Sequence, residues 1–475
     1  MAKASNKYIR LIKNIGMLLA GNFVSKVLSF LMVPFYTSIL TTSDYGTADL
    51  ISNTVLLVLP LFSVLMNEAV MRFTLDQTTD RKQVFSIAMT VSTFGYLAAM
   101  CFSPLILLSR TLRPYYWFVV MYYVASWLYN ITSCYVKGLD RLSIITSAGI
   151  IHTFVYLSLN IFFLAVVKIG IYGYLLAIIL SNLAAIIFLV LVCRLYKNFV
   201  SIGSLDWKLA KAMVKYSLPL IPNYMSWWIN NASDKYILTF ICGTAANGVY
   251  SVAYKIPTLL SSVTSIFYSA WTISSVDDFG SDESRRFYEK VYSLYSALLM
   301  VAGAGLILLT KPLASILYAK EFYEAWKITP ILVVAYIFSA LAQQVGSVFS
   351  ASKKTKRLFY ASMTGAGVNT ILNLALIPML QGVGAASATV IGYITIWALN
   401  MYNGNKILKM DYNLSRIISC TLVLIFEIIA VSLQIKYWYV YAGLAVMIVI
   451  AINRKELFGV LVVLKSKLSR RKDTF

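Results

Sequence analysis

Runs of about twenty apolar residues recur along almost the whole chain, and nothing else constrains its fold as much. A hydrocarbon core about 30 Å thick is crossed by about 20 helical residues rising about 1.5 Å each. Lipid offers no hydrogen-bond partner to an open strand edge, so each run is expected to be a helix. The alternation over about ten residues that marks a membrane β-strand is absent. Fourteen spans are expected, near 12–35, 49–71, 84–108, 115–136, 142–166, 173–193, 216–241, 248–274, 291–309, 328–350, 358–379, 385–402, 417–434 and 438–453. Only 13% of the 475 residues are charged and 59% are hydrophobic, against about 25% charged in a soluble domain. No room is left for a separate soluble domain.

The net charge of +22 comes from 41 Lys and Arg against 19 Asp and Glu. In a soluble protein this would point to nucleic acid. Here the positive-inside rule accounts for it. With the N-terminus cytoplasmic, 31 of the basic residues fall in inside segments, 7 outside and 3 within spans. That split favours an even number of spans, both termini in the cytoplasm and no nucleic-acid partner. The first run follows Lys3, Lys7, Arg10 and Lys13 but is too long, carries Lys26 and lacks a small-x-small cleavage pattern, so it reads as a retained span. The five cysteines are odd in number and form no C-x-x-C pair, which argues against a disulfide framework and a zinc site.

The longest polar stretch divides the chain near its middle. The expected organisation is an N-terminal bundle of six helices over 1–193 and an amphipathic cytoplasmic linker over 194–215. A C-terminal bundle over 216–403, two added helices over 417–453 and a basic cytoplasmic tail over 454–475 follow. The halves resemble each other. Ser43-Asp44-Tyr45-Gly46 matches Ala245-Ala246-Asn247-Gly248; Arg141-Leu142 matches Arg357-Leu358; Gly170-Ile171-Tyr172-Gly173 matches Gly382-Val383-Gly384-Ala385. Six helices separate each pair, so the repeats run parallel. The fold class expected is an all-α membrane protein of about 14 transmembrane helices, with two pseudo-symmetric six-helix bundles and two C-terminal helices.

Enzymatic constellations are missing from the sequence. It has no G-x-x-x-x-G-K-[ST], no H-E-x-x-H and no G-x-S-x-G, and His152 is its one histidine. No cofactor is called for. The informative residues are polar ones inside the spans, which at mid-bilayer face a bundle interior or water. Span one carries Asn22, Lys26 and Ser29 on one face, and span seven carries Asn223, Ser226, Asn230 and Ser233. Span eight is expected to be one helix with Ser251, Lys255, Thr258, Ser262, Ser265 and Ser269 in a stripe; span ten carries Gln343, and span eleven Asn369 and Asn373. These faces are expected to line a shared wet space, although helix–helix packing also uses small and hydroxyl residues. Lys26 lies roughly 21 Å above the cytoplasmic start of its span and Lys255 roughly 11 Å below the outer start of its own. Both sit at similar depth, one in each repeat, and together suit one anion.

Trp227 and Trp228 lie mid-span, where they either stack on sugar rings or fill space. Candidates for ion coupling are Glu68, Asp234 and Glu427. Glu68 and Arg72 at i, i+4 can instead pair with each other. Asp234 is expected at the outer rim of span seven. His152, Tyr156 and Asn160 share one face of span five, which reads as core.

Several ordered segments are similar to bacterial polysaccharide repeat-unit flippases of the multidrug/oligosaccharidyl-lipid/polysaccharide exporter superfamily. They are Asn22-Phe23-Val24-Ser25-Lys26, Pro34-Phe35-Tyr36-Thr37, Ser217-Leu218-Pro219-Leu220-Ile221-Pro222-Asn223, Gly248-Val249-Tyr250-Ser251-Val252-Ala253-Tyr254-Lys255 and Asn369-Thr370-Ile371-Leu372-Asn373. The resemblance covers most of the chain. It implies two bundles around a central V-shaped cavity, alternating access, and a substrate of undecaprenyl diphosphate carrying an oligosaccharide. It also implies cavity cations on the first and eighth helices, at the positions of Lys26 and Lys255. Residence in a bacterial plasma membrane is implied too, with a polysaccharide polymerase and a chain-length regulator as partners. A cation-coupled multidrug exporter of the same superfamily is the first alternative. A membrane polysaccharide polymerase is the second, disfavoured because no outside segment is long enough for a catalytic loop.

Overall fold

The computed structural model describes residues 27–76, 78–274, 282–352 and 354–458, and among them every regular element is a helix. The chain forms two compact units, Met1–Ala232 and Ser233–Phe475. Asn22 and Lys26 lie outside the described residues.

The first unit holds α1 (Val33–Ile39), α2 (Thr42–Phe62), α3 (Met66–Leu75), α4 (Arg81–Phe102), α5 (Tyr116–Gly138), α6 (Leu142–Ile161), α7 (Gly170–Val192), α8 (Trp207–Ser217) and the start of α9 (Ile221–Cys242). Thr41 caps α2, accepting from the Asp44 N–H at 3.1 Å while its hydroxyl donates to the Asp44 carboxylate at 2.7 Å. The span expected at 49–71 is broken between α2 and α3, where Val64 and Leu65 take φ of 52° and 49°. Pro60 loosens the last turn of α2 by removing a backbone donor. Helix α4 crosses at this break so closely that a Cβ on Gly95 would stand 1.7 Å from the Phe62 carbonyl oxygen, so only glycine allows the approach.

The linker is bonded to the first unit. Gln83 donates to the Ser204 carbonyl at 2.9 Å and accepts from the Asp206 N–H at 3.1 Å. Ser86 donates to the Asn198 carbonyl at 3.1 Å and accepts from the Val200 N–H at 2.8 Å. Asp206 caps α8, accepting from the Lys208 and Leu209 N–H groups at 2.9 and 3.1 Å. One face of α8 buries Ala210, Met213 and Ser217, while Trp207 stays exposed beside Lys208 and Lys211. This is the two-faced pattern that an interfacial helix needs.

The second unit continues α9 and adds α10 (Thr244–Ala253), α11 (Pro257–Ser274), α12 (Asp282–Leu317), α13 (Thr329–Ala351), α14 (Thr355–Gly404), α15 (Leu414–Ser432) and α16 (Trp438–Ile452). The expectation of one helix through span eight fails. Tyr254, Lys255 and Ile256 form a turn between α10 and α11, because Pro257 lacks an N–H and disfavours helix at the residue before it. Proline then serves as a preformed first residue of α11. The Ser251–Ser269 stripe is therefore two shorter stripes with Lys255 at the bend. Helix α14 has 50 residues, about 75 Å if straight. Gln381 breaks it, with φ 49° and ψ −127°, giving two segments where spans eleven and twelve are expected. Arg416 ties the last helices to α12. Its guanidinium donates to the Asn453 side chain at 3.1 Å, the Ser293 carbonyl at 3.0 Å and the Ser296 hydroxyl at 2.6 Å, and it pairs with Glu456 at 3.1 Å.

A similar turn occurs in each unit. The chain reverses at Lys168 (φ 59°) in the first unit and at Gln381 (φ 49°) in the second, each just before a matching glycine segment. A Cβ on Gly173 would stand 2.6 Å from the Phe163 Cβ, and one on Gly384 would stand 2.5 Å from the Leu376 carbonyl oxygen. In both repeats a glycine lets the returning helix touch the one it follows.

Among the described residues eight helices are long and apolar enough to cross a bilayer, and Val27–Ile39 and Trp438–Ile452 are shorter apolar helices. Helices α5 and α9 stand at expected spans but fall outside the eight. Asn231, Asp234 and Lys235 on α9, and the Tyr, Ser and Asn residues of α5, lower their apolar character. The chain is a multi-pass, all-α membrane protein.

Candidate functional site

Each unit has a polar interior of its own kind. In the second unit it centres on Asp234, which is 2% exposed. The Tyr250 hydroxyl donates to Asp234 Oδ2 at 2.6 Å and the Tyr254 hydroxyl at 3.1 Å. The Thr389 hydroxyl lies 3.4 Å from the same oxygen. Oδ1 accepts the Lys235 N–H at 2.8 Å. Asn369 donates to Thr389 Oγ1 at 3.4 Å, and Asn373 donates to Asn369 Oδ1 at 3.0 Å. The Lys235 ammonium stands 5.6 Å from the Tyr254 ring centre.

A carboxylate deep in a helical unit is costly unless its acceptor positions are met, and three donors, the Tyr250 and Tyr254 hydroxyls and the Lys235 N–H, converge on this one. The expectation that Asp234 sits at a rim is thus wrong. Tyr250 and Tyr254, i and i+4 at the end of α10, turn it inward. Asn369 and Asn373, expected on a wet face, are 3% and 0% exposed and belong to this network. Gln343 is exposed, whereas the adjacent Gln344 is 3% exposed with neither side-chain polar atom partnered among the described residues. Lys255 is half-buried at the α10–α11 turn, where its carbonyl accepts from the Thr258 hydroxyl at 2.6 Å.

Glu427 on α15 is fully buried, and neither carboxyl oxygen has a hydrogen-bond partner among the described residues. In the first unit Glu68 accepts from the Tyr224 hydroxyl at 3.0 Å and from Asn67 at 3.3 Å. No Glu68–Arg72 ion pair occurs among the described residues, and Arg72 is exposed. The phenol supplies what the guanidinium was expected to supply. Trp228 donates to the Asn53 carbonyl at 3.0 Å. Asn223, Trp227 and Asn230 lie on α9 with side chains outside the described residues.

The interior of the first unit is aromatic and hydroxylated. His152 lies parallel to Tyr129 (ring centres 5.6 Å apart, 16° between planes) and to Tyr156 (6.4 Å, 7°). Tyr174 stands edge-on to Tyr156 at 6.2 Å and to Tyr36 at 5.4 Å. Sequence reading placed His152, Tyr156 and Asn160 on one face of a helix; it could not supply Tyr129 and Tyr174, which come from α5 and α7. Among the described residues no group of three His, Cys, Asp or Glu side chains is arranged to hold a metal ion.

Comparison with known proteins follows the same lines. Residues 11–272, more than half of the chain, match the family described as "Polysaccharide biosynthesis protein". An uncharacterized membrane protein of Methanocaldococcus jannaschii, MJ1068, is 27% identical over 243 residues. The match spans 47% of each protein, so the chain covers about half the length of that curated relative. The lipid II flippase MurJ, solved in an inward closed conformation, superposes with a TM-score of 0.71 over 94% of this chain and 99% of its own, at 14% identity. An inward-facing multidrug resistance MATE family transporter of the MOP superfamily gives 0.66 over 84% and 96%, at 13% identity. At such identities these likenesses establish the fold.

Proposed function

Because the chain belongs to the polysaccharide biosynthesis protein family, we propose that it is a flippase rather than an enzyme. Its substrate is an oligosaccharide repeat unit linked to undecaprenyl diphosphate, carried from the cytoplasmic to the outer leaflet by alternating access. A saccharide headgroup carries many hydroxyls, each costing several kcal/mol if left without partners in hydrocarbon. A protein that moves it must therefore present amides, hydroxyls and aromatic faces at membrane depth, and a cation for the diphosphate. The observation that carries the reading is a family match joined to interiors of this kind. Phenols and amides fill both units, and Lys255 stands at a helix break.

On this reading Lys26 and Lys255 hold the diphosphate, and Asp234 is the carboxylate that couples transport to an ion. The termini are cytoplasmic, the membrane is the bacterial plasma membrane, and the exported units feed a polymerase with its chain-length regulator. The test is a deletion strain that accumulates lipid-linked repeat units, measured by mass spectrometry, and is complemented by the wild-type gene. Lys255→Ala should leave the accumulation in place while Lys255→Arg, which keeps the charge, should relieve it. Relief by Lys255→Ala at normal membrane levels would exclude this lysine from the substrate path.

A cation-coupled multidrug exporter is the second reading, favoured by the buried acid Asp234. It predicts energy-dependent efflux of cationic dyes, lost in Asp234→Asn, and no accumulation of lipid-linked sugars in the deletion strain.

A further inference from the structure

Within the first unit an apolar crevice of about 290 Å³ opens between α2, α4 and α5. The C-terminal end of α4 shapes it. Pro104 has no N–H, so the α-helix gives way to a tighter 3-10 turn over Ser103–Leu108. The Met100 carbonyl, which an N–H at position 104 would have met, accepts from the Ser103 N–H and, at 2.8 Å, from the Ser103 hydroxyl. Val58, Phe62, Tyr96 and Ala99 form much of the wall. The hydroxyls at its edge are already committed or covered. Thr54 donates to the Leu50 carbonyl at 2.8 Å, and the Tyr123 hydroxyl is itself buried. A polar ligand finds no partner here.

The crevice is open on one side. Phe102 and Leu105 line it and are 59% and 62% exposed. In a membrane-spanning unit such an edge meets hydrocarbon. An apolar cavity of about 150 Å³ stays dry and takes a benzene ring. This crevice is about twice that size, which is room for roughly a dozen carbons. That is most of one acyl chain, and only a small part of an undecaprenyl tail.

The chain leaving the crevice supplies the second feature. The Arg113 N–H donates to the Ser109 carbonyl at 2.9 Å, so residues 109–113 make one helical turn with Arg110 and Arg113 as neighbours. Between them Leu112 packs against the same cluster of side chains as Val58 and Phe62. Both arginines are exposed, and among the described residues neither forms an ion pair. Asp44, which faces Tyr115 from the start of α2, is engaged by the Thr41 hydroxyl at 2.7 Å. Two cations against one acid leave this rim positive. Trp117, 65% exposed, stands one turn further on, as an interfacial tryptophan does.

We propose that the crevice between α2, α4 and α5 binds one anionic phospholipid of the membrane, with an acyl chain in the crevice and the phosphate on Arg110 and Arg113. Guanidinium groups suit a phosphate, and an anionic headgroup adds to the attraction. The site belongs to the first unit alone and does not depend on what the protein transports.

The experiment places the full chain in phosphatidylcholine nanodiscs doped with dioleoyl phosphatidylglycerol and counts the lipids that stay bound in native mass spectrometry. The wild type should retain one phosphatidylglycerol, about fivefold or more in excess of its share of the bilayer. Ala99→Trp fills the crevice and should lose the retained lipid. Ile187→Trp, at a 58% exposed position on α7, should keep it. Arg110→Gln/Arg113→Gln should still retain one lipid but without preference for the anionic headgroup. Independently of any variant, dihexanoyl phosphatidylglycerol has the same headgroup on short chains and should not be retained. The site is overturned if the wild type shows no preference, if Ala99→Trp retains the lipid as before, or if the short-chain probe is held as well as the long one. Doping with undecaprenyl phosphate should leave the phosphatidylglycerol in place; its displacement by the polyprenyl probe would overturn the assignment to a phospholipid.

Discussion

Replacing Tyr250 by phenylalanine tests whether the buried carboxylate is held by hydrogen bonds. The phenol donates to Asp234 Oδ2 at 2.6 Å, and the carboxylate is 2% exposed. A hydrogen bond to a charged group contributes about 1.5–3 kcal/mol net. Tyr254 at 3.1 Å and the Lys235 N–H at 2.8 Å still donate in the variant, so Tyr250→Phe should cost about that amount and no more. Asp234→Asn should cost a similar sum for a different reason. If the amide oxygen serves the two phenols, its NH2 confronts the Lys235 N–H; if the amide flips, its NH2 confronts the phenols. In the first case a donor goes unsatisfied, and in the second the phenols must turn and give up their charge-assisted bonds to accept instead, at about 1–3 kcal/mol either way. Each single variant already weakens the same bond, so the double variant should be less destabilised than the sum, by about 1–2 kcal/mol. Unfolding by SDS titration in mixed micelles measures all four proteins. Additivity within about 0.5 kcal/mol would refute the reasoning, because distant sites behave that way.

Gly384→Ala should sharply reduce folded protein, because its Cβ would stand 2.5 Å from the Leu376 carbonyl oxygen; Gly367→Ala, with nothing within 4 Å, should be neutral or slightly stabilising. Size-exclusion yield compares the two, and equal yields would count against the close helix approach. Arg416→Met should cost about 1.5–3 kcal/mol by removing its charge-assisted hydrogen bonds to Ser296, Ser293 and Asn453 and should expose Cys420, whose sulfur accepts from Asn453 at 3.2 Å. Faster maleimide labelling of Cys420, in a background lacking the other cysteines, reports it, and unchanged protection would show that the hairpin docks without the clamp. Single cysteines at Thr42 and Lys354 should be reached by external reagent at the first position only; the reverse pattern overturns the orientation.

Helix positions were legible because the bilayer imposes one length and one backbone solution on every span. The breaks were legible only in part. Pro257 announces the turn at Lys255 and should have cut the span-eight stripe in two. The break at Val64 and Leu65 has a weaker marker in Pro60, which loosens the last turn of α2 without fixing where the chain breaks. It depends on α4 crossing over Phe62, which is encoded thirty residues later in Gly95. Burial was harder still. Asp234 reads as a rim residue from its place in span seven, and only the meeting of α9, α10 and α14 turns it into the centre of a network. Tyr250 and Tyr254 were visible as an i, i+4 pair, but nothing local says which acid they face. The stripe of His152, Tyr156 and Asn160 was legible as one face, and the stacked cluster it joins was not, because the flanking rings belong to other helices.

The two repeats share a backbone device and have diverged in chemistry. Both reverse through a left-handed residue before a glycine that admits the returning helix. After that reversal α7 carries no charge and packs beside the stacked Tyr129, His152 and Tyr156 rings, whereas the second half of α14 brings Thr389 near a buried carboxylate. A substrate with a doubly anionic group and a neutral saccharide makes opposite demands on its surroundings. The anion needs cations and pays heavily for desolvation without them. The sugar needs stacking faces and acceptors, and gains little from a charge. If one surface met both demands, each basic group placed for the diphosphate would compete with the acceptors placed for the sugar. On the proposed function, two units of different chemistry can meet those demands separately. On that reading, substitutions around Asp234 should change how transport depends on ions and leave the choice of sugar intact. Exchanging the repeat unit offered to each variant in the deletion strain tests this, and an Asp234 variant that alters the choice of sugar alone would contradict it.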